Sequence, residues 1–130
     1  MACLETSFLV DLLRGKKEVI LLKEELDRTE STLTIASPTV MELWCGALLG
    51  KLSAQEKEKI NNLLQSLEVL DFDEKCAKEA GEIEADLFSK GKQIETEDIM
   101  IAAIAKVHSE KLITKDSHYL NIDGLKILKY

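Results

Sequence analysis

The hydrophobic pattern changes period repeatedly along the chain. Short, largely apolar stretches at Met1–Leu4, Thr32–Ala36, Val69–Phe72 and Leu125–Leu128 read as strands, and the stretch from Leu112 to just before Asp116 reads as a buried one. Between them the apolar positions recur at helical spacing. Phe8, Leu9, Leu12 and Leu13 make a first helix that Gly15 stops, and Val19, Leu22 and Leu26 form the inner stripe of a second over Lys16–Arg28. Ser37-Pro38 predicts an N-cap followed by proline at the first helical position, opening a helix to about Gly50. Ser53–Leu67 is amphipathic. Asp73 is expected to cap a long helix with Cys76, Ala80, Ile83 and Leu87 inward, ended by Gly91. Thr96 reads as the N-cap of a last helix whose block Ile99–Ala105 is apolar on nearly every face, as in a helix enclosed by other elements.

Strands alternating with helices predict an α/β fold of three layers, α/β/α, with a mainly parallel sheet between helices. The 130 residues suffice for one domain, 1–130, with its own core. At 45% hydrophobic and 32% charged the composition is that of an ordinary globular protein. No apolar run approaches the length of a membrane span and the N-terminus lacks a signal-peptide pattern, so a cytoplasmic protein is expected. A net charge of −7 argues against broad electrostatic attraction to nucleic acid and leaves a nucleic-acid substrate open only where bound cations and a local Lys/Arg rim offset the overall field. It favours metal cations or a basic protein segment as partners. Cys3, Cys45 and Cys76, odd in number and set among apolar neighbours, read as buried thiols, and His108 and His118 add no metal-ligand spacing of their own.

Charge matters most where it interrupts the apolar pattern. Glu42 breaks the run Val40–Cys45, and Gly46, one turn on along the same face, leaves space beside its carboxylate. Glu5 follows the first strand, Asp98 opens the enclosed helix, and Asp116 follows the strand after it. Singly, each has an ordinary reading: Glu5 and Asp98 favour helix N-termini, Glu42 lies on a surface stripe, Asp116 makes a turn. Jointly they point to one place, because in a parallel sheet flanked by helices the strand ends and helix starts meet at the carboxyl edge. Two carboxylates about 5 Å apart repel by about 3 kcal/mol at an effective dielectric of about 20, so four require a cation or raised pKa values. Oxygen ligands suit Mg²⁺ or Mn²⁺, which commonly take remaining ligands from phosphates, and this points to phosphodiester hydrolysis by an activated water.

The stretches Leu4–Leu13, Val40–Leu43 with Gly46, Asp98–Ala103 and Leu112–Asp116 together resemble the four signature blocks of the PIN domain, most closely VapC-type toxins of prokaryotic toxin–antitoxin pairs. The resemblance covers the whole chain in order. It implies an α/β/α fold, a Mg²⁺- or Mn²⁺-dependent endoribonuclease acting on RNA, a homodimer, and an inhibitory VapB-type antitoxin. It also implies Glu42, Asp98 and Asp116 as metal-site acids, with Thr6 and Thr114 as supporting hydroxyls. Two positions depart from the family pattern: Glu5 stands where aspartate is usual, and His118-Tyr119 stands where a further aspartate often precedes an aromatic residue. Trp44, two positions from Glu42, points away from the acid, either into the core or outward as an anchor for a partner. The competing readings are a PIN-like protein-binding module without catalysis and a phospho-receiver domain, the latter needing a central strand and a phospho-acceptor aspartate where Ala54–Leu67 reads as helix.

Overall fold

The computed structural model describes residues 1–50 and 54–130. Strand β1 (Ala2–Leu4) leads into α1 (Thr6–Leu13) and α2 (Lys17–Thr29), β2 (Leu33–Ala36) into α3 (Ser37–Leu49) and α4 (Ala54–Gln65), and β3 (Glu68–Leu70) into α5 (Glu74–Ser89) and α6 (Thr96–Val107). Strand β4 (Lys111–Thr114), a 3₁₀ turn (Ser117–Asn121) and β5 (Ile127–Lys129) complete it. Ser53, expected to open α4, lies outside the described residues. The five strands form one parallel sheet in the order β3-β2-β1-β4-β5.

Each central strand is buried on both faces, which is why the strands read as continuous apolar runs and do not alternate. Cys3, Ala36 and Leu112 face a core built with Cys76, Ala80, Ile83 and Leu87 of α5 and Ile99–Ala105 of α6. Ala2, Leu4, Leu33, Ile35 and Ile113 face the other core, with Phe8, Leu9, Val19, Leu26 and Leu43. Trp44 is half-buried against this second core. The sheet reverses direction of growth between β1 and β4: the chain first adds β2 and β3 on one side of β1, then returns to add β4 and β5 on the other. Such a switch point opens a crevice beyond the carboxyl ends of the two strands.

Three local expectations change. The Ser37 hydroxyl accepts from the Phe72 amide at 3.2 Å, so it ties α3 to the end of β3 and the cap falls to Ala36. Thr96 is the first residue of α6 and Glu95 occupies the cap position without a side-chain hydrogen bond. Cys45 is exposed, because α3 turns it away from the core that holds its neighbour Leu43, whereas Cys3 and Cys76 are buried as expected. Burial, chiefly, pushes the Cys3 thiol up to about 12, which leaves it unreactive.

At the amino-terminal edge of the sheet the fold buries a carboxylate. Glu110 is 1% exposed; its Oε2 accepts from the Thr34 hydroxyl and, among the described residues, Oε1 has no hydrogen-bond partner. Burial raises its pKa, against the opposing effects of the Thr34 hydroxyl and the chain's terminal ammonium. The fold therefore prefers the protonated acid. That contribution is complete below the ordinary carboxylate pKa and is lost as pH climbs through the raised folded value. Glu110→Gln keeps the volume and an acceptor for Thr34, and is expected to stabilise the protein by about 1–2 kcal/mol at pH 8. Melts at pH 8 and pH 5 check this: the gap between variant and native protein should narrow at the lower pH, and an unchanged gap would remove the charge as its cause.

Candidate active site

At the crevice between β1 and β4, the first polar residue after β1 is Glu5. Its backbone is extended and its side chain caps α1, with Oε2 accepting from the Ser7 amide at 3.0 Å. The same oxygen accepts from the Ser7 hydroxyl and, at 2.9 Å, from the Thr114 hydroxyl at the end of β4. The Tyr119 hydroxyl stands 3.4 Å from Oε1. Glu5 thus joins α1, β4 and the 3₁₀ turn, and it is only 2% exposed. Thr114 in turn accepts from the Asp116 amide at 3.1 Å, fixing the chain as it leaves β4.

Glu42 enters from α3. The Thr6 hydroxyl donates to its Oε1 at 2.8 Å and lies 3.1 Å from the hydroxyl of fully buried Thr39, from which it can accept. Asp98 sits in the first turn of α6, where the helix N-terminus favours an anion. The His118 imidazole approaches it from the 3₁₀ turn, with Nε2 3.1 Å from Asp98 Oδ2. His118 stacks in tilted fashion on Tyr119, ring centres 4.5 Å apart.

Two of the acids, Glu42 and Glu5, are perturbed by burial and by their acidic neighbours. Burial raises the pKa of Glu42 most, the Thr6 hydroxyl lowers it, and the charges of Asp98, Glu5 and Glu97 raise it further. Glu5 is likewise raised by burial, against the hydrogen bonds from Ser7 and Thr114, with Asp116 adding to the rise. The buried Tyr119 hydroxyl is raised by burial and then by Glu5 and Asp98. The structure thus draws Glu5, Glu42, Asp98 and Asp116 towards one edge, with Thr6 and Thr114 bonded to the acids beside them. Among the described residues, no three His, Cys, Asp or Glu side chains already stand at the spacing that encloses an ion.

Sequence reasoning missed two participants. His118 is legible in the sequence only as a departure at a position where the family often has aspartate; it lies two residues past Asp116, and the 3₁₀ turn folds it back onto Asp98, a partner its spacing does not predict. Asp11 was also missed. This 2%-exposed carboxylate on α1 binds Lys16 at 3.1 Å, Lys115 at 2.9 Å and the Tyr130 hydroxyl at 3.2 Å, holding the segment between Thr114 and Asp116 against α1. Its signal was an aspartate within the apolar run Phe8–Leu13.

A parallel sheet with this strand order and helices on both faces defines a doubly wound α/β/α protein, with acids carried to its switch point. It is not a receiver, whose strand order places the switch point elsewhere. The PIN domain family model matches residues 2–125, and the chain belongs to the PIN domain family. It is 34% identical over 103 residues to Ribonuclease VapC3 of Methanocaldococcus jannaschii, covering 79% of this chain and 96% of that one. It is 30% identical over 125 residues to the tRNA(fMet)-specific endonuclease VapC of Salmonella typhimurium, covering 95% and 93%. In fold it is similar to VapBC2 from Rickettsia felis, solved bound to a DNA fragment from its promoter, with a TM-score of 0.92 at 27% identity over 99% of this chain and 98% of that one.

Proposed function

We propose that this chain is a divalent-metal-dependent endoribonuclease, the toxin of a VapBC-type pair, inhibited by a VapB-type antitoxin. The observation that carries the reading is the placement of Glu5 after β1, Glu42 on α3 bonded to Thr6, Asp98 in the first turn of α6 and Asp116 after β4, in a chain whose PIN relatives are named ribonucleases and tRNA endonucleases. The donor set fits a hard divalent cation: it is rich in carboxylate oxygen, and burial, with neighbouring negative charge adding to it, raises the pKa of Glu5 and Glu42. Glu42, Asp98 and Asp116 would hold Mg²⁺ or Mn²⁺. Glu5, with one oxygen already serving three donors, would organise the edge and contribute its charge.

The cation, when bound, supplies Lewis-acid activation of water and stabilisation of charge developing on the phosphodiester. The chain's own residues do the positioning. Thr6 fixes the Glu42 carboxylate, Thr114 fixes Asp116 through its backbone, and the first turn of α6 carries Asp98. A groove of about 510 Å³ begins beside Glu42, lined by Val10, Leu13, Leu43, Ala47 and Ile60, with Arg14 and Lys59 at its rim. Its apolar lining, beginning beside Glu42, suits an amphipathic antitoxin segment that would end at the acids. We infer a homodimer and a cytoplasmic location only from what the resemblance to VapC-type toxins implies. Among the described residues, no helix is long and apolar enough to cross a membrane.

The expected result is cleavage of single-stranded or loop RNA by the purified protein with added Mn²⁺ or Mg²⁺, abolished by EDTA and restored by returning either metal. Cleavage that survives EDTA, or none with either metal, would reject this function.

A further inference from the structure

His118 Nε2 is a buried ring nitrogen without a hydrogen-bond partner among the described residues, although it stands 3.1 Å from Asp98 Oδ2. The ring as a whole is 36% exposed, so it is this one atom that is turned inward against the acids. The contact has the distance of a hydrogen bond without its direction. It has, however, the spacing of two ligands to one ion: neighbouring positions of an octahedron with bonds of about 2.1 Å lie about 3.0 Å apart. Tyr119 stacks behind the ring and the 3₁₀ turn fixes its backbone, so the nitrogen is held where it is.

We propose that His118 Nε2 is a metal ligand beside Asp98, which makes this centre a mixed nitrogen–oxygen site. The proposal rests on the metal-dependent reading above. An imidazole donor suits first-row transition ions and disfavours Mg²⁺, so His118 would bias the site towards Mn²⁺ and its heavier neighbours. The other histidine, His108, lies beyond the far end of α6, about 15 Å along the helix axis from Asp98, and cannot reach the same ion.

Electron spin echo envelope modulation of the Mn²⁺-loaded protein tests this without reference to activity. The expected spectrum shows modulation from a directly bound ¹⁴N, replaced by the ¹⁵N pattern when the native protein is grown on ¹⁵N-histidine, which requires no variant. In His118→Asp, Mn²⁺ should remain bound, the nitrogen signal should vanish, and Mg²⁺ should displace Mn²⁺ at about tenfold lower concentration. Bound Mn²⁺ without histidine nitrogen modulation in the native protein would overturn the proposal and leave His118 as an ion-pair partner of Asp98, with the metal-dependent function intact. Failure of the native protein to bind Mn²⁺ at all would overturn both.

Discussion

Asp98→Asn should leave a folded protein that cleaves RNA at least about 10²–10³-fold more slowly than the native chain. Asparagine keeps the shape of the side chain in the first turn of α6 and removes only the charge. The helix loses a favourable N-terminal anion, worth about 0.3–1 kcal/mol. In return Glu42 is relieved of a like charge that helps to raise its pKa. These opposing changes are similar in size, so the melting temperature should move by no more than a few degrees while the rate collapses. Single-turnover cleavage at saturating Mn²⁺, read beside a thermal melt, separates the two effects. A variant within threefold of the native rate would take Asp98 out of the chemistry, and a variant that no longer melts cooperatively would show that its role is in packing.

A second large effect is expected far from any chemistry, at Asp11. Burial alone would raise its pKa, but hydrogen bonds from Lys115, Lys16 and Tyr130 prevail and hold the carboxyl below the usual aspartate range. Breaking a buried ion pair typically costs about 3–5 kcal/mol, because the abandoned charge stays buried. Here the abandoned ammonium groups are 42% and 44% exposed and can return to water. Asp11→Asn should therefore cost about 2–3 kcal/mol near neutral pH, a fall in melting temperature of about 10 °C. A depressed carboxylate contributes stability above its unfolded pKa and loses it as pH falls through the folded value. The gap between variant and native protein should accordingly close in acid. A gap that persists at pH 2–3 would mean that shape and hydrogen bonding, and not the charge of Asp11, hold the segment.

Much of this architecture could be read from the chain because burial on both faces of a parallel sheet leaves a simple trace. β1, β2 and β4 appear as unbroken apolar runs, and the inward stripe of α5 at Cys76, Ala80, Ile83 and Leu87 is the one observed. The positions of the four acids were legible for a related reason: strand ends and helix starts are the best-marked points of an α/β sequence. What stayed hidden were partnerships set by tertiary approach. Ser37 looks like a cap in every local respect, and only the arrival of Phe72 from 35 residues away redirects its hydroxyl. Glu110 and Thr34 are 76 positions apart, and nothing local to either predicts a buried carboxylate. Cys45 was misjudged because its apolar neighbours are shared between a buried and an exposed face of α3. His118 stood out only as a departure from the family pattern, and its approach to Asp98 stayed hidden because a 3₁₀ turn, unlike a helix or a strand, imposes no periodicity from which a direction can be inferred.

The bond between Thr114 and Glu5 spans 109 positions, and β1 gains its partner β4 over a similar interval. During synthesis at about 5–20 residues per second, the first strand therefore waits several seconds, at the least, for the neighbour that completes its edge. Throughout that interval Asp116 does not yet exist. A nascent chain can already have built β1, β2 and β3, with the helices that cover them, and still hold only three of the four acids. On the proposed reading of the site, the order of the strands withholds its last acid until the chain is nearly complete.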